Sequence, residues 1–318
     1  MTSADSAAAQ NRGPAPAGPP APPPGGPSPY ARHGQGRVGA VGMVVGSAMS
    51  LQFGAAVAAT LFPRAGALGV VTLRLFFSAL LMLAVCRPRL RGHTRRDWGA
   101  VTGLGIALGA MNALFYQAIE RIPLGPAVTL ELLGPLVLSV VGSRRLLSLL
   151  WAVLALAGVY LLGSSGFGSV DFAGTAFALA AGAIWVAYIL LNSRAGARFP
   201  KADGLAIAMA LAGLLSAPLG LASSGRALLD PVTLGLGAAV AVLSSGVPYT
   251  LDLFALRRLP AATFALLMSL MPVAATTAGF LVLGQRLEPL ELVAIALVIV
   301  ASMGAVRTPP VRPAAAIG

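Results

Sequence analysis

Between Val38 and Val306 the sequence alternates long apolar stretches with short polar breaks. Ten such stretches stand out, at roughly 38–61, 66–86, 98–118, 124–143, 147–163, 172–192, 204–221, 233–256, 262–284 and 288–306. A helix needs about 20 residues to cross the hydrocarbon core of a bilayer. The strands of a membrane barrel would instead alternate apolar and polar residues over about ten positions, and no stretch does so. Backbone groups in lipid must find their partners within the segment, so each stretch is expected to be a helix. The expected fold is an all-α integral membrane protein with ten transmembrane helices.

Composition excludes the water-soluble alternatives. Charged residues make up 10% of the 318 and hydrophobic ones 57%, with a mean hydropathy of +0.84. Soluble domains carry about 25% charged residues, so this chain has too few charges to cover a soluble surface. The net charge of +12 suggests nucleic acid only until the basic residues are located. They are arginines apart from Lys201, and all but Arg74 sit in the tails and connections outside the apolar stretches. Cys86 is the sole cysteine, which leaves no intrachain disulfide and no thiolate metal cluster. Residues 1–37 are rich in Pro, Gly and Ala and hold no apolar run. They are expected to be a disordered tail, because such a segment cannot bury enough apolar area to offset its ordering entropy. The same lack of an apolar core argues against a cleavable signal peptide. A short C-terminal tail, 307–318, closes the chain.

Orientation follows from the basic residues, which favour cytoplasmic connections. With the N-terminus inside, 17 of the 22 Lys and Arg residues fall in inner segments. Four (Arg64, Arg121, Arg226 and Arg286) fall in outer ones, and Arg74 lies within the second span. Both termini are therefore expected in the cytoplasm of a multi-pass protein of the cell (inner) membrane. The lipid bilayer and a small-molecule substrate are the expected partners, with no role for nucleic acid.

The chain also repeats itself. ERIPLGPAVTLELLGP (120–135) and RRLPAATFALLMSLMP (257–272) share Arg121 with Arg258, Pro123 with Pro260 and Pro135 with Pro272, each 137 positions apart. Ala118 and Ala255 keep the same offset, and Gly46 and Gly182 stand 136 apart. Five spans separate the copies, an odd number, so the two halves (38–163 and 172–306) are expected in opposite orientations. An inverted repeat of this kind is a carrier signature, since two similar states can exchange by swapping the conformations of the halves.

Three segments resemble the EamA type of the drug/metabolite transporter superfamily, nearest to its threonine/homoserine exporter branch. They are ERIPLGPAVTLELLGPLVLSVVGSRR (120–145), the stretch from Ser244 to Gly304 that opens SSGVPYTLDLFALRRLP, and TLRLFFSALL (72–81). The resemblance implies a ten-helix inner-membrane carrier, built of two five-helix repeats, that exports amino acids or similar metabolites. Other metabolites, purines and toxic small molecules remain open as cargo.

Charges inside spans are costly and usually functional. Arg74 on span two and Glu131 on span four both fall about 12 Å from the outer side, at about 1.5 Å per residue. They are expected to be able to face one another as a buried pair. Such a pair serves equally well to fix helix packing or to move a proton. A carboxylate alternately approached and left by an arginine can load and release a proton, which would couple export to the proton gradient. Met268 stands at the equivalent place in the second repeat, so the site is asymmetric. Asp252 on span eight lies nearer the inner surface, five residues before Arg257, and reads as a residue reaching interfacial water or as a second site carboxylate.

Polar residues also fall into rows at helical spacing. Asn112 and Tyr116 share a face of span three. Trp185, Tyr188 and Asn192 share one on span six, and Ser245, Tyr249 and Asp252 share one on span eight, where Pro248 loosens the turn. Such rows either line a cavity for an amino acid or bond helix to helix. Gly46, Ser50 and Gly54, like Gly105 and Gly109, read as close-packing stripes. Pro126, Pro135 and Pro272 interrupt their spans, and Pro135 and Pro272, kept by the repeat, are expected to border the binding site.

Rival classes lack their chemistry. No H-E-x-x-H and no acidic metal cluster occurs, and His33 and His93 lie in the tail and a loop. No phosphate-binding G-x-x-x-x-G-K-[ST] loop occurs either. No cofactor and no metal is expected; the inverted repeat favours a carrier, with a channel or an integral membrane enzyme as the less favoured alternatives.

Overall fold

The computed structural model describes residues 29–143, 146–164, 171–199 and 202–307, and every regular element among them is helical. Span one is α1 (Pro29–Thr60), span two α2 (Phe62–Cys86) and span three α3 (Arg95–Ile119). Span four is divided into α4 (Leu124–Glu131) and α5 (Leu133–Ser143); span five is α6 (Leu146–Ser164), span six α7 (Phe172–Gly196) and span seven α8 (Asp203–Ser224). Span eight runs as α9 (Pro231–Ala241), a π-helical turn at Val242–Gly246 and α10 (Val247–Leu256). Span nine is α11 (Ala261–Met268) followed by α12 (Met271–Leu283), and span ten is α13 (Pro289–Arg307).

Nine segments among the described residues are long and apolar enough to cross a bilayer, and Leu147–Leu162 within α6 forms a shorter apolar run. With 19 residues, α6 is about 28 Å long, close to the hydrocarbon thickness of about 30 Å. The expected disordered tail lies outside the described residues over 1–28, and so does the end of the chain from 308. Helix α1 takes in 29–37, which composition alone assigned to the tail.

Helix ends follow local chemistry. Helix α3 opens on a capping box, in which Asp97 N–H donates to Thr94 Oγ1 at 3.3 Å and Thr94 N–H to Asp97 Oδ2 at 2.9 Å. Spans four, eight and nine are not the single helices that apolar length suggests, and proline is the reason. A proline has no N–H to give and its ring clashes with the carbonyl four residues back. Pro135 therefore acts on Glu131, Pro272 on Met268 and Pro248 on Ser244. The first two are the last residues of α4 and α11, and Ser244 lies in the π-helical turn. Ser50 on α1 donates to the Leu243 carbonyl at 2.7 Å, partnering a backbone group of that distorted turn.

The 137-residue offset is visible in backbone geometry. Helices α4 and α11 each have eight residues, starting after Pro123 (φ −58°, ψ 151°) and Pro260 (φ −59°, ψ 143°). Before them, Arg121 and Ile122 N–H both donate to the Ala118 carbonyl, as Arg258 and Leu259 N–H do to that of Ala255.

Helix pairing is close because the buried faces are small. Ala56, Ala58, Ala118, Ala127, Ala178, Ala181, Ala212, Ala275 and Ala278 are fully buried, which lets backbones approach as membrane helices require. Large apolar residues such as Phe172, Val141, Leu156, Leu214 and Leu281 are exposed, as a lipid-facing perimeter demands. The helices pair as α2 with α8, α3 with α7, α1 with α10, α6 with α13, α3 with α8, α2 with α9, and α4 with α12. Helix α1 also packs on α12, and α7 on α4 and α5.

Candidate transport cavity

A cavity of about 240 Å³ lies among the broken spans, walled by α1, α2, α3, α4, α7, α8, α10, α11, α12 and the π-helical turn. Eight of the ten residues expected from sequence line it: Arg74, Asn112, Glu131, Trp185, Tyr188, Ser245, Tyr249 and Asp252. Of the other two, Tyr116 is fully buried behind Arg74. Its hydroxyl accepts from Arg74 Nη1 at 3.2 Å, with the guanidinium carbon 5.4 Å from the centre of its ring.

The expected Arg74–Glu131 ion pair is not formed. Both side chains face the same space, but they do not approach within 4 Å. The ion pairs seen among the described residues are Arg121–Glu120 and Arg198–Asp97, each at 3.5 Å. Equal depth in two spans does not imply contact, because the angle around each helix axis also counts. Arg74 uses its reach on Tyr116 instead. Glu131 sits where α4 ends, and its backbone lies so close to α7 that a Cβ on Gly182 would stand 2.5 Å from the Glu131 carbonyl oxygen. A Cβ on Gly134 would collide with the Gly182 carbonyl oxygen. Glycine at both positions is what permits this backbone-to-backbone approach.

Asp252 is not merely an interfacial residue, since it lines the cavity with Arg74 and Glu131. Its Oδ1 is buried without a hydrogen-bond partner, as are Gln52 Oε1 and Ser244 Oγ on the same cavity wall. The face of span eight predicted from Ser245, Tyr249 and Asp252 does turn inward, and Ser245 meets Ser78 of α2, Oγ to Oγ, at 2.8 Å. Asn112 donates to the Leu108 carbonyl one turn back at 2.8 Å. Of the glycine stripes, Gly54 packs directly on Ser244, and Gly105 packs on the Ala208 carbonyl, which a Cβ there would approach to 2.9 Å. Both contacts agree with close packing.

A second cavity, of about 340 Å³, shares Trp185, Met268 and Met271 with the first and reaches Ser139 and Val306. Pro135 borders this second cavity, whereas Pro272 is buried and lines neither. Asn192, the third member of the α7 row, also lines neither.

Sequence reasoning missed Gln52, Ser244, Met268 and Met271. A signal existed for two of them: Ser244 and Met268 stand four residues before Pro248 and Pro272. Gln52 is an amide inside an apolar span, a feature that is functional by default.

Residues 172–307 match the EamA-like transporter family. The chain is 42% identical over 261 residues to the threonine/homoserine exporter RhtA of Escherichia coli (strain K12), covering 81% of this chain and 88% of that one. It is 41% identical over 261 residues to the threonine/homoserine exporter RhtA of Salmonella typhimurium (strain SL1344), with the same coverage. A solved crystal structure superposes with a TM-score of 0.51 at 21% identity, covering 81% of this chain and 96% of that one. That likeness speaks for the fold alone.

Proposed function

We propose that this chain, which belongs to the EamA-like transporter family and is a multi-pass membrane transporter rather than an enzyme, exports small amino acids such as threonine and homoserine by proton-coupled alternating access. The observation that carries the reading is one cavity of about 240 Å³ holding Arg74, Glu131 and Asp252 together within the membrane. Binding pockets for drug-sized molecules run to about 300–1,000 Å³, so a space of this size and charge suits a small polar solute. The relatives named above are exporters of such solutes.

Alternating access needs two halves that exchange roles, and the helix pairing supports an inverted repeat. Swapping span k for span k + 5 sends the α3–α7 pair onto α10–α1, the α3–α8 pair onto α9–α2 and the α1–α12 pair onto α7–α4, all of which are observed. The pairs α2–α8, α4–α12 and α6–α13 map onto themselves. The family match over 172–307 covers the second repeat. The 17-to-4 division of basic residues supports a cytoplasmic position for both termini. Trp185, Met268 and Met271 divide the two cavities, and we assign them as the partition that side-chain movement opens between the central site and the inner mouth.

Glu131 is the group we assign to proton coupling. It is a buried carboxylate with no ion pair, at a helix break, in reach of the Arg74 charge. In proteoliposomes loaded with labelled threonine, a proton gradient should drive transport by the wild type. Glu131→Gln should lose gradient-driven transport while retaining threonine-for-threonine exchange, since exchange need not release the proton. Normal rate and normal pH dependence in Glu131→Gln would make Glu131 structural.

A further inference from the structure

We infer that the cavity grips both ends of a free amino acid at once, with Arg74 taking the carboxylate and Asp252 together with Gln52 taking the ammonium. This deepens the export reading above and rests on it.

Two walls of the cavity carry opposite hydrogen-bonding needs. On the side of α1 and α10, Gln52 Oε1 and Asp252 Oδ1 are buried and unpartnered. Gln52 is 2% exposed, so its amide oxygen has no bulk water to bond. Both atoms accept hydrogen bonds, and one carries charge. A buried acceptor without a donor costs free energy unless a ligand supplies one. The group that answers two acceptors and a negative charge together is an ammonium, with three N–H donors. Ser244 Oγ, also buried and unpartnered on this wall, is placed to meet a polar group further along the same ligand.

On the side of α2, Arg74 has the complementary need. Its guanidinium has five N–H donors, of which Nη1 is engaged by Tyr116. No carboxylate lies within 4 Å of it among the described residues. A carboxylate accepts such a fork in two parallel bonds. Tyr116 behind the guanidinium, by hydrogen bond and ring face, holds it in place. The two poles line one cavity, together with Tyr249. That cavity, of about 240 Å³, suits a small zwitterion and leaves little room for a blocked or extended one. Glu131 has neither role, which leaves it free to titrate.

The cargo class is therefore the free α-amino acid with both ends unblocked. Sites with buried polar groups reject analogues that leave those groups unpaired far more strongly than apolar pockets reject a lost methylene. The test is counterflow of labelled threonine in proteoliposomes of the full chain, competed by unlabelled threonine, N-acetylthreonine and threoninamide. Threonine should compete at least tenfold more strongly than either blocked compound. Asp252→Asn and Gln52→Leu should each raise the half-saturating threonine concentration at least tenfold and shrink the penalty against N-acetylthreonine only. Arg74→Gln should shrink the penalty against threoninamide only. Equal competition by all three compounds in the wild type, which requires no variant to fold, overturns the assignment while leaving amino-acid transport standing. Absence of counterflow with threonine and with homoserine overturns the export reading itself.

Discussion

Arg74 bonds to Tyr116 and not to Glu131, and this changes what its removal does. Had the two charges formed a buried pair, losing the arginine would strand a carboxylate at a cost of about 3–5 kcal/mol. With no such bond to break, Arg74→Gln is expected to insert and fold close to wild type while its transport falls. Fluorescence-detected gel filtration of the detergent-solubilised variant checks this, and an aggregated or absent peak would restore the structural pair. Gly134 and Gly182 give the opposite kind of prediction. A side chain at either collides with backbone of the facing helix, so alanine there overpacks the α4–α5 break against α7. The expected cost is about 1–3 kcal/mol, seen as a lower thermal midpoint. Gly196→Ala, with nothing within 4 Å of its built Cβ, is the neutral control. At this scale the sequence marks which residues are anomalous in lipid, such as Arg74, Glu131, Asp252 and Gln52. It is silent on which anomalous residue bonds to which, because that depends on helix rotation.

Three spans break near their midpoints, and each break presents cavity residues. Pro135, Pro248 and Pro272 stand four residues after Glu131, Ser244 and Met268, all of which line the cavity. The rule is not general: Pro218 stands four residues after Leu214, which is exposed on the perimeter of α8. Proline weakens a turn wherever it occurs, and packing decides whether the freed face meets lipid or cavity. Pro135→Ala should restore the missing N–H and straighten span four, carrying Glu131 away from the cavity. Insertion should be unchanged and transport reduced at least tenfold; a wild-type rate would show that the break is dispensable. Outside the membrane, the Asp230 carboxylate caps α9, accepting from Thr233 N–H at 2.9 Å and Oγ1 at 3.0 Å. These bonds hold its pKa below the ordinary carboxylate value. A depressed folded-state pKa contributes stability above the unfolded value and loses it as pH falls through the folded one. Asp230→Ala should therefore lower the thermal midpoint at neutral pH, and the difference from wild type should close in acid.

At the scale of the whole molecule, helices from both ends of the chain supply walls to one cavity. The 17-to-4 division of basic residues makes the orientation testable: a reporter that works only in the periplasm, fused after Arg307, should stay inactive. A periplasmic signal would overturn the span count and the inverted repeat together. Deleting residues 2–28, which offer no packing face in their composition, should leave insertion and threonine exchange unchanged; loss of exchange in a correctly inserted deletion would assign the arm a partner.

The sequence by itself determined the membrane class, the all-helical fold and most of the polar residues on the cavity wall. Those follow from local physics: apolar length against bilayer thickness, arginine in connections, proline spacing, and the cost of polar groups in lipid. Only the tertiary structure decided that Arg74 turns to Tyr116, that Asp252 joins the central cavity, and that Gln52 Oε1 is left without a hydrogen-bond partner. These are matters of rotation and approach between helices distant in sequence. They are set by where alanine and glycine let backbones touch, and a one-dimensional pattern of apolar and polar residues does not carry that information.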